Sequence, residues 1–132
     1  MKFIAIVLLA LTGANNKVGA QTTASVTRPE WCGPSGGNVT VAGSSTVLPI
    51  AEAWATGYMK ACPGVNVTVE SGGSSAGAGK VCNDTERGAP VDIGTMSRAW
   101  KDTEANITNG YTYACLIGDT KRSAIQVDVS KD

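Results

Sequence analysis

The feature that most limits what this chain can fold into is a unit used three times over. A short β-branched strand runs into a turn of Gly, Ser and Thr, and the turn opens a helix. Val39–Ala42 reads as a strand, Gly43-Ser-Ser-Thr46 as a turn, and Pro49 to about Ala61 as a helix. Pro49 suits a first helical turn, where its missing N–H costs little. Ile50, Trp54, Tyr58 and Ala61 share one apolar face at helical spacing, so this face is expected to pack inward, with Trp54 in the core. Pro63-Gly64 ends that helix. Val65–Val69 alternates β-branched residues as a strand, and Gly72 to Gly77 turns into a second helix that ends near Asn83. Pro90–Gly94 is a third strand, followed by Thr95-Met-Ser-Arg98 and a weak helix over Lys101–Ala105. Tyr111–Leu116 and Ala124–Val129 read as further strands. Strands alternating with helices predict an α/β fold: a largely parallel sheet with flanking helices.

Composition narrows the chemistry such a fold could carry. The 132 residues hold eleven basic and eleven acidic side chains and no His. Balanced charge gives no electrostatic footprint for nucleic acid or an anionic membrane, and 5% aromatic residues make no base-stacking surface. Without His there is no Ser–His–Asp or Cys–His catalysis and no His-containing metal site.

The N-terminus reads as a secretory address. Lys2 precedes an apolar run from Phe3 to Leu11, and Val18-Gly19-Ala20 supplies short residues for cleavage, so residues 1–20 are expected to be a signal peptide. Its loss takes Lys2 and Lys17, which leaves nine basic against eleven acidic residues, a net charge of −2. Residues 21–37 then lead into a domain at 38–132, and no transmembrane segment remains after cleavage. Cys32, Cys62, Cys82 and Cys115 form an even set with no Cys-x-x-Cys pair, which suits disulfides; four cysteines permit three pairings. Asn38-Val-Thr, Asn66-Val-Thr, Asn83-Asp-Thr and Asn106-Ile-Thr are glycosylation sequons and point to a eukaryotic secretory route.

Ligands of parallel α/β sheets collect beyond the carboxyl ends of the strands. Three such ends are rich in small hydroxyl residues: Ser44-Ser45-Thr46, Ser74-Ser75, and Thr95 with Ser97 and Arg98. Helix N-termini present unpaired N–H donors and partial positive charge, hydroxyls donate, and Arg adds a charged fork. Together they suit a small tetrahedral anion with no metal or cofactor. The plainer alternative makes the Ser and Thr residues helix caps and the Gly residues turn formers. Gly73-Ser-Ser75-Ala-Gly77 matches a nucleophile elbow, but no His can serve as its base, and only Lys80 stands near enough to suggest another. Gly79-Lys80 fails as a phosphate loop because Ser74 replaces its first Gly and Val81 its metal-binding hydroxyl. Asp84, Asp92, Asp102 and Glu104 have no calcium-loop or paired-carboxylate spacing. Lys80 reads as a solvated helix residue, Lys121-Arg122 as an exposed turn, and Trp31 and Trp100 as core or lip residues.

Three segments in this order resemble the PstS-type phosphate-binding proteins of the type II periplasmic-binding-protein superfamily. They are Gly43 to Trp54, Pro63 to Gly77, and Val91-Asp-Ile-Gly-Thr-Met-Ser-Arg98. The resemblance runs from about Val39 to Val129. It implies a non-catalytic, secreted binder of inorganic phosphate that serves a membrane phosphate transporter. It also implies two α/β lobes closing on one anion, of which residues 38–132 supply an incomplete first lobe. Carried over by position, Thr46 and the Val47 amide match the first-loop ligands, Ser74 the second-loop hydroxyl, and Ser97 and Arg98 the third loop. Ser97 stands where the best-known members have an Asp that accepts a proton from hydrogen phosphate; Ser-Arg at this loop is similar to a second branch, in which the Arg points at the anion. A one-sided cradle leaves phosphate hydrated on its open face, so weak or no binding is expected of these residues alone. The alternative is an extracellular glycoprotein scaffold that keeps the fold without a ligand, a reading that gains if Arg98 pairs with Asp102 along its own helix.

Overall fold

The computed structural model describes residues 28–33 and 36–129. The expected signal peptide at 1–20 lies outside the described residues. In chain order the elements are β1 (Gly37–Gly43), α1 (Leu48–Ala61), β2 (Val65–Ser71), α2 (Ser74–Val81), β3 (Ile93–Thr95), β4 (Ala105–Asn109), β5 (Thr112–Cys115) and β6 (Ser123–Ile125). Short 3₁₀ turns occupy Glu30–Cys32 and Thr85–Arg87. No helix among the described residues is long and apolar enough to cross a membrane.

The first three strands form the expected parallel sheet, in the order β2-β1-β3. β1 pairs with β2 from Gly37↔Val65 to Gly43↔Ser71, and with β3 from Val41↔Ile93 to Gly43↔Thr95. All three strands therefore finish level with one another at Ser71, Gly43 and Thr95. Successive side chains of a strand point to opposite faces. Val39, Val41, Val67 and Ile93 line the α1 face, while α2 packs on β1 and β3 from the other side.

Glycine sets how close α2 comes. A Cβ on Gly77 would sit 2.5 Å from the Thr95 carbonyl oxygen and 3.0 Å from the Gly43 Cα, and one on Gly94 would run into the Gly77 carbonyl. Helix backbone lies directly on sheet backbone, and the start of α2 is held at the ends of β1 and β3.

The last strands build a second sheet, antiparallel and in the order β4-β5-β6. Lys101–Ala105 is a turn that delivers the chain into β4 rather than a helix. Its inward group is Glu104, whose carboxylate accepts from the Lys101 amide at 3.1 Å, a local bond that competes with helix. The β4–β5 turn passes through Gly110 at φ 53°, a left-handed position that glycine adopts without strain.

The core is built from small residues. Val41, Ala42, Ala51, Ala55, Ala78, Val91 and Ala105 are buried, and the largest fully buried side chains are Cys62, Cys82 and Cys115. So thin a core leans on cross-links. The cysteines pair as Cys32–Cys62 and Cys82–Cys115. The first fastens the N-terminal segment to the end of α1, where Trp31 and Tyr58 also meet at 6.0 Å between ring centroids. The second ties the end of α2 to β5 and so joins the two sheets.

α1 does not bury the expected face. Ala51 and Ala55 lie against the sheet, while Ile50 and Trp54 are 51% and 54% exposed. Two alanines one turn apart let the helix axis approach the strands, which rotates the bulkier stripe toward the rim. Trp54, Tyr58, Val67 and Ile93 then wall an open apolar groove of about 420 Å³. Trp100 stacks on Tyr113 at 5.8 Å and is half-buried between the loop after β3 and β5.

Candidate functional site

Because the three parallel strands end level, the loops that follow them leave the sheet side by side. Their backbones are bonded at the root. The Gly43 carbonyl accepts from the amides of Gly72 and Gly73, both at 2.8 Å, and the Ser44 amide donates to the Thr95 carbonyl at 2.9 Å. Gly43 and Gly73 have φ of 149° and 82°, conformations an L side chain rarely adopts. At Gly43 a Cβ would also run into the Thr95 carbonyl.

α1 and α2 both begin at this edge. The residues that directly precede them, Val47 and Gly73, supply no side-chain cap. The first hydrogen bonds of α2 are donated by Ala76 and Gly77 to the Gly73 carbonyl, at 3.0 and 3.1 Å. The amides of Ser74 and Ser75 precede them and belong to the set of N–H groups that a helix leaves without an internal acceptor. Two helix N-termini at one sheet edge put two positive dipole ends on the same side. The plainer expectation that Ser and Thr cap these helices holds for α1, where Ser44 accepts from the Val47 amide through Oγ and from Leu48 through its carbonyl, and not for α2, which starts at Gly73.

The hydroxyls are used between loops. Ser74 Oγ accepts from the Ser97 amide at 3.1 Å and lies 3.3 Å from Ser97 Oγ. Ser75 Oγ accepts from Arg98 Nη2 at 3.0 Å. The second and third loops are thus stitched together, and Ser74, Ser97 and Arg98 converge. Thr46 is exposed on the first loop. The Val47 amide there turns back to donate to Ser44 Oγ at 3.4 Å, while Ser44 itself is buried and its carbonyl accepts from Leu48 at 3.1 Å.

Arg98 is held from behind by Glu104. Its Nη1 donates to Glu104 Oε2 at 2.9 Å and to the Ala99 carbonyl at 2.8 Å, and its Nη2 donates to Glu104 Oε1 at 2.8 Å. With Ser75, four guanidinium N–H groups are engaged. The Glu104 side chain is 7% exposed and that of Arg98 29%. The Arg98 hydrogen bond holds the Glu104 carboxyl below its ordinary range against the opposing effect of burial, and the same bond raises Arg98 further. The pair is therefore ionised, and it places a compensated positive charge beside the uncapped start of α2.

Glu104 was legible in sequence only as one carboxylate among several. It lies six residues beyond Arg98, and a turn rather than a helix brings it back. Arg98 does not pair with Asp102 along a helix, as the scaffold alternative would have it. Lys80 is not simply solvated, since it bonds Glu70 at 3.1 Å, and Arg122 reaches the Val81 carbonyl at 3.1 Å. Among the described residues no group of His, Cys, Asp or Glu could hold a metal ion. What the loops offer a ligand is amide and hydroxyl donors beside a fixed guanidinium, a set suited to a small oxyanion.

A family model described as a PBP superfamily domain matches residues 20–131. The chain is 29% identical to proteins named phosphate-binding protein PstS from two strains of Pseudomonas aeruginosa, over 95% of its own length and 39% of theirs. It is 41% identical to protein SphX of Synechococcus elongatus over 50% of its length and 18% of that protein's. A crystal structure of a phosphate ABC transporter phosphate-binding protein from Streptococcus pneumoniae is 36% identical, with a TM-score of 0.45 over 51% of this chain and 24% of that one. The chain thus spans about two fifths of the length of its PstS relatives. With its parallel sheet, its flanking helices and its three loops in order, the chain belongs to the PBP superfamily domain family.

Proposed function

We propose that this chain is the phosphate-facing part of a secreted, non-catalytic binding protein, which takes inorganic phosphate at the ends of β1, β2 and β3 and serves a membrane phosphate transporter. The observation that carries this reading is the meeting of two helix N-termini, that of α2 without a side-chain cap, with the Ser74–Ser97–Arg98 cluster at one sheet edge. The names of the PstS relatives support the choice of phosphate over other oxyanions. Phosphate here would accept from the Ser74 and Ser75 amides and from the Thr46, Ser74 and Ser97 hydroxyls. Arg98 would supply charge once its bond to Ser75 opened toward the ligand. Ser97 offers no carboxylate to accept a phosphate proton, so discrimination against sulfate is expected to be poor.

A second reading, an extracellular scaffold that keeps the fold without a ligand, is favoured by one observation. Glu104 already neutralises Arg98 and fills most of its donors. Calorimetric titration of the folded chain with phosphate, with sulfate as competitor and Arg98→Ala as control, separates the two. Saturable one-to-one binding that Arg98→Ala weakens supports the phosphate reading. No heat from a chain shown to be folded by circular dichroism is what either a missing second lobe or a scaffold gives, and sequencing the transcript beyond Asp132 decides between those two.

A further inference from the structure

Arg98 has no spare terminal donor. Nη1 gives its two N–H groups to Glu104 Oε2 and the Ala99 carbonyl, and Nη2 gives its two to Glu104 Oε1 and Ser75 Oγ. An anion beside Arg98 therefore gains a terminal N–H only by displacing one of these acceptors. They are not equally replaceable. Glu104 is a charged acceptor that holds both Nη atoms, its side chain is 7% exposed, and the Lys101 amide fixes it at 3.1 Å. The Ala99 carbonyl belongs to the next residue in the chain. Ser75 Oγ is the one hydroxyl among the four acceptors, and it stands in the first turn of α2, 23 residues away in sequence. An ionised acceptor binds a guanidinium N–H more strongly than a neutral hydroxyl does. Two parallel bonds to Glu104 fix the plane of the guanidinium, so the N–H aimed at Ser75 keeps its direction whether or not Ser75 accepts it. Ser75 is the partner that can move, since one turn about χ1 takes its Oγ to another staggered well.

We propose that Ser75 Oγ is a placeholder for a ligand oxygen: rotation of its side chain hands the Arg98 Nη2–H to the anion, and Ser75 sets the affinity of the site by competing with the ligand. The inference rests on the phosphate reading above and adds to it a residue that works against binding. Two adjacent serines then have opposite effects. Ser74 aligns the second and third loops through the Ser97 amide, and its loss weakens binding. Ser75 occupies the donor that the anion needs, and its loss strengthens binding. Before an anion arrives, the placeholder keeps a half-buried guanidinium satisfied, so the charge is held in position without drawing a ligand group from elsewhere in the chain.

The test compares the parent chain, Ser75→Ala, Arg98→Ala and the double variant by titration with inorganic phosphate. Binding is followed through the Ser74 and Ser97 amide shifts in NMR spectra, so that weak binding is read as well as tight, and thermal melts show that each variant is folded. Alanine leaves the Ser75 amide in place and suits a helix. Ser75→Ala should bind phosphate about threefold to tenfold more tightly than the parent, because a hydrogen bond to a charged group no longer has to break on binding. It should confer no gain in the Arg98→Ala background, since the competition is for the Arg98 donor. A purely structural hydroxyl, or one that donates directly to phosphate, gives the opposite sign. Equal or weaker binding by Ser75→Ala, or a gain that survives without Arg98, overturns the placeholder and leaves the phosphate reading standing. Shifts in neither the parent nor Ser75→Ala take the phosphate site away from these residues, and the placeholder with it.

Discussion

Arg98 and Glu104 face each other through two parallel hydrogen bonds of 2.9 and 2.8 Å, with the carboxylate nearly buried and the guanidinium reaching forward to Ser75. This ion pair sets where the one strong positive charge of the site stands. It also connects the turn before β4 to the loops of the parallel sheet. Breaking it by Glu104→Ala strands a partly buried guanidinium. Loss of one partner of a fully buried pair costs about 3–5 kcal/mol; with Arg98 29% exposed, we expect about 2–3 kcal/mol. Urea denaturation of the variant against the parent measures it, and a change under 0.5 kcal/mol would show the pair to be a surface ornament.

The same pair gives the fold an acid limit. Glu104 titrates below its ordinary value of 4.5, chiefly through Arg98, in the folded chain. Its contribution is therefore complete above about pH 4.5 and is lost as pH falls through the lower folded value, because the unfolded chain takes up the proton first. Melting temperature should fall steadily below pH 4.5. Glu104→Gln should have a lower melting temperature at pH 7 and a flatter acid limb. Parallel acid limbs in parent and variant would remove Glu104 from the account.

Two glycine substitutions should act in opposite directions. Gly77→Ala improves helix propensity yet drives a Cβ to 2.5 Å from the Thr95 carbonyl oxygen, an overpacking expected to destabilise by about 1–3 kcal/mol. Gly57→Ala, in the exposed interior of α1 with nothing within 4 Å of the new Cβ, should stabilise by about 0.5–1 kcal/mol. Thermal melts of both variants decide the matter. If Gly77→Ala also stabilised, α2 would not lie on the sheet as described.

Reduction should unfold the chain. Each disulfide closes a loop of about thirty residues, with sequence separations of 30 and 33, and removal of one from a small domain costs about 2–5 kcal/mol. With so few large side chains buried, loss of both should exceed the stability available. Circular dichroism with and without reductant tests this, and a cooperative melt retained in reductant would speak against it.

Ser74 joins two loops through the Ser97 amide. Ser74→Ala should leave the melting temperature within a few degrees while weakening any phosphate binding about tenfold, near 1.4 kcal/mol for the loss of a hydroxyl donor and of the loop alignment. Calorimetry reads the affinity and a melt reads the fold. An unchanged affinity would take Ser74 out of the site.

Much of this protein is local and was therefore legible in its sequence. Alternating Val65, Val67 and Val69, the stop at Pro63-Gly64 and the Pro49 helix start act within a few residues of where they are written, and the strands and helices they predict are present. The order of the three hydroxyl-rich loops follows as well, because parallel strands joined by helices must place their carboxyl ends on one side. What tertiary structure decided is wherever two distant segments compete for one space. Ala51 and Ala55 displaced Ile50 and Trp54 from the sheet because a close approach rewards small side chains over bulky ones. Gly77, which read as a turn former or part of a catalytic motif, and Gly94, which read as the end of a strand, proved to be the contact surface between α2 and β3. Spacing leaves three cysteine pairings open, and only the position of α1 and α2 relative to their neighbours selected Cys32–Cys62 and Cys82–Cys115. Glu104 came to Arg98 through a turn whose shape depends on the carboxylate it buries, a circular dependence that no linear reading of six intervening residues resolves.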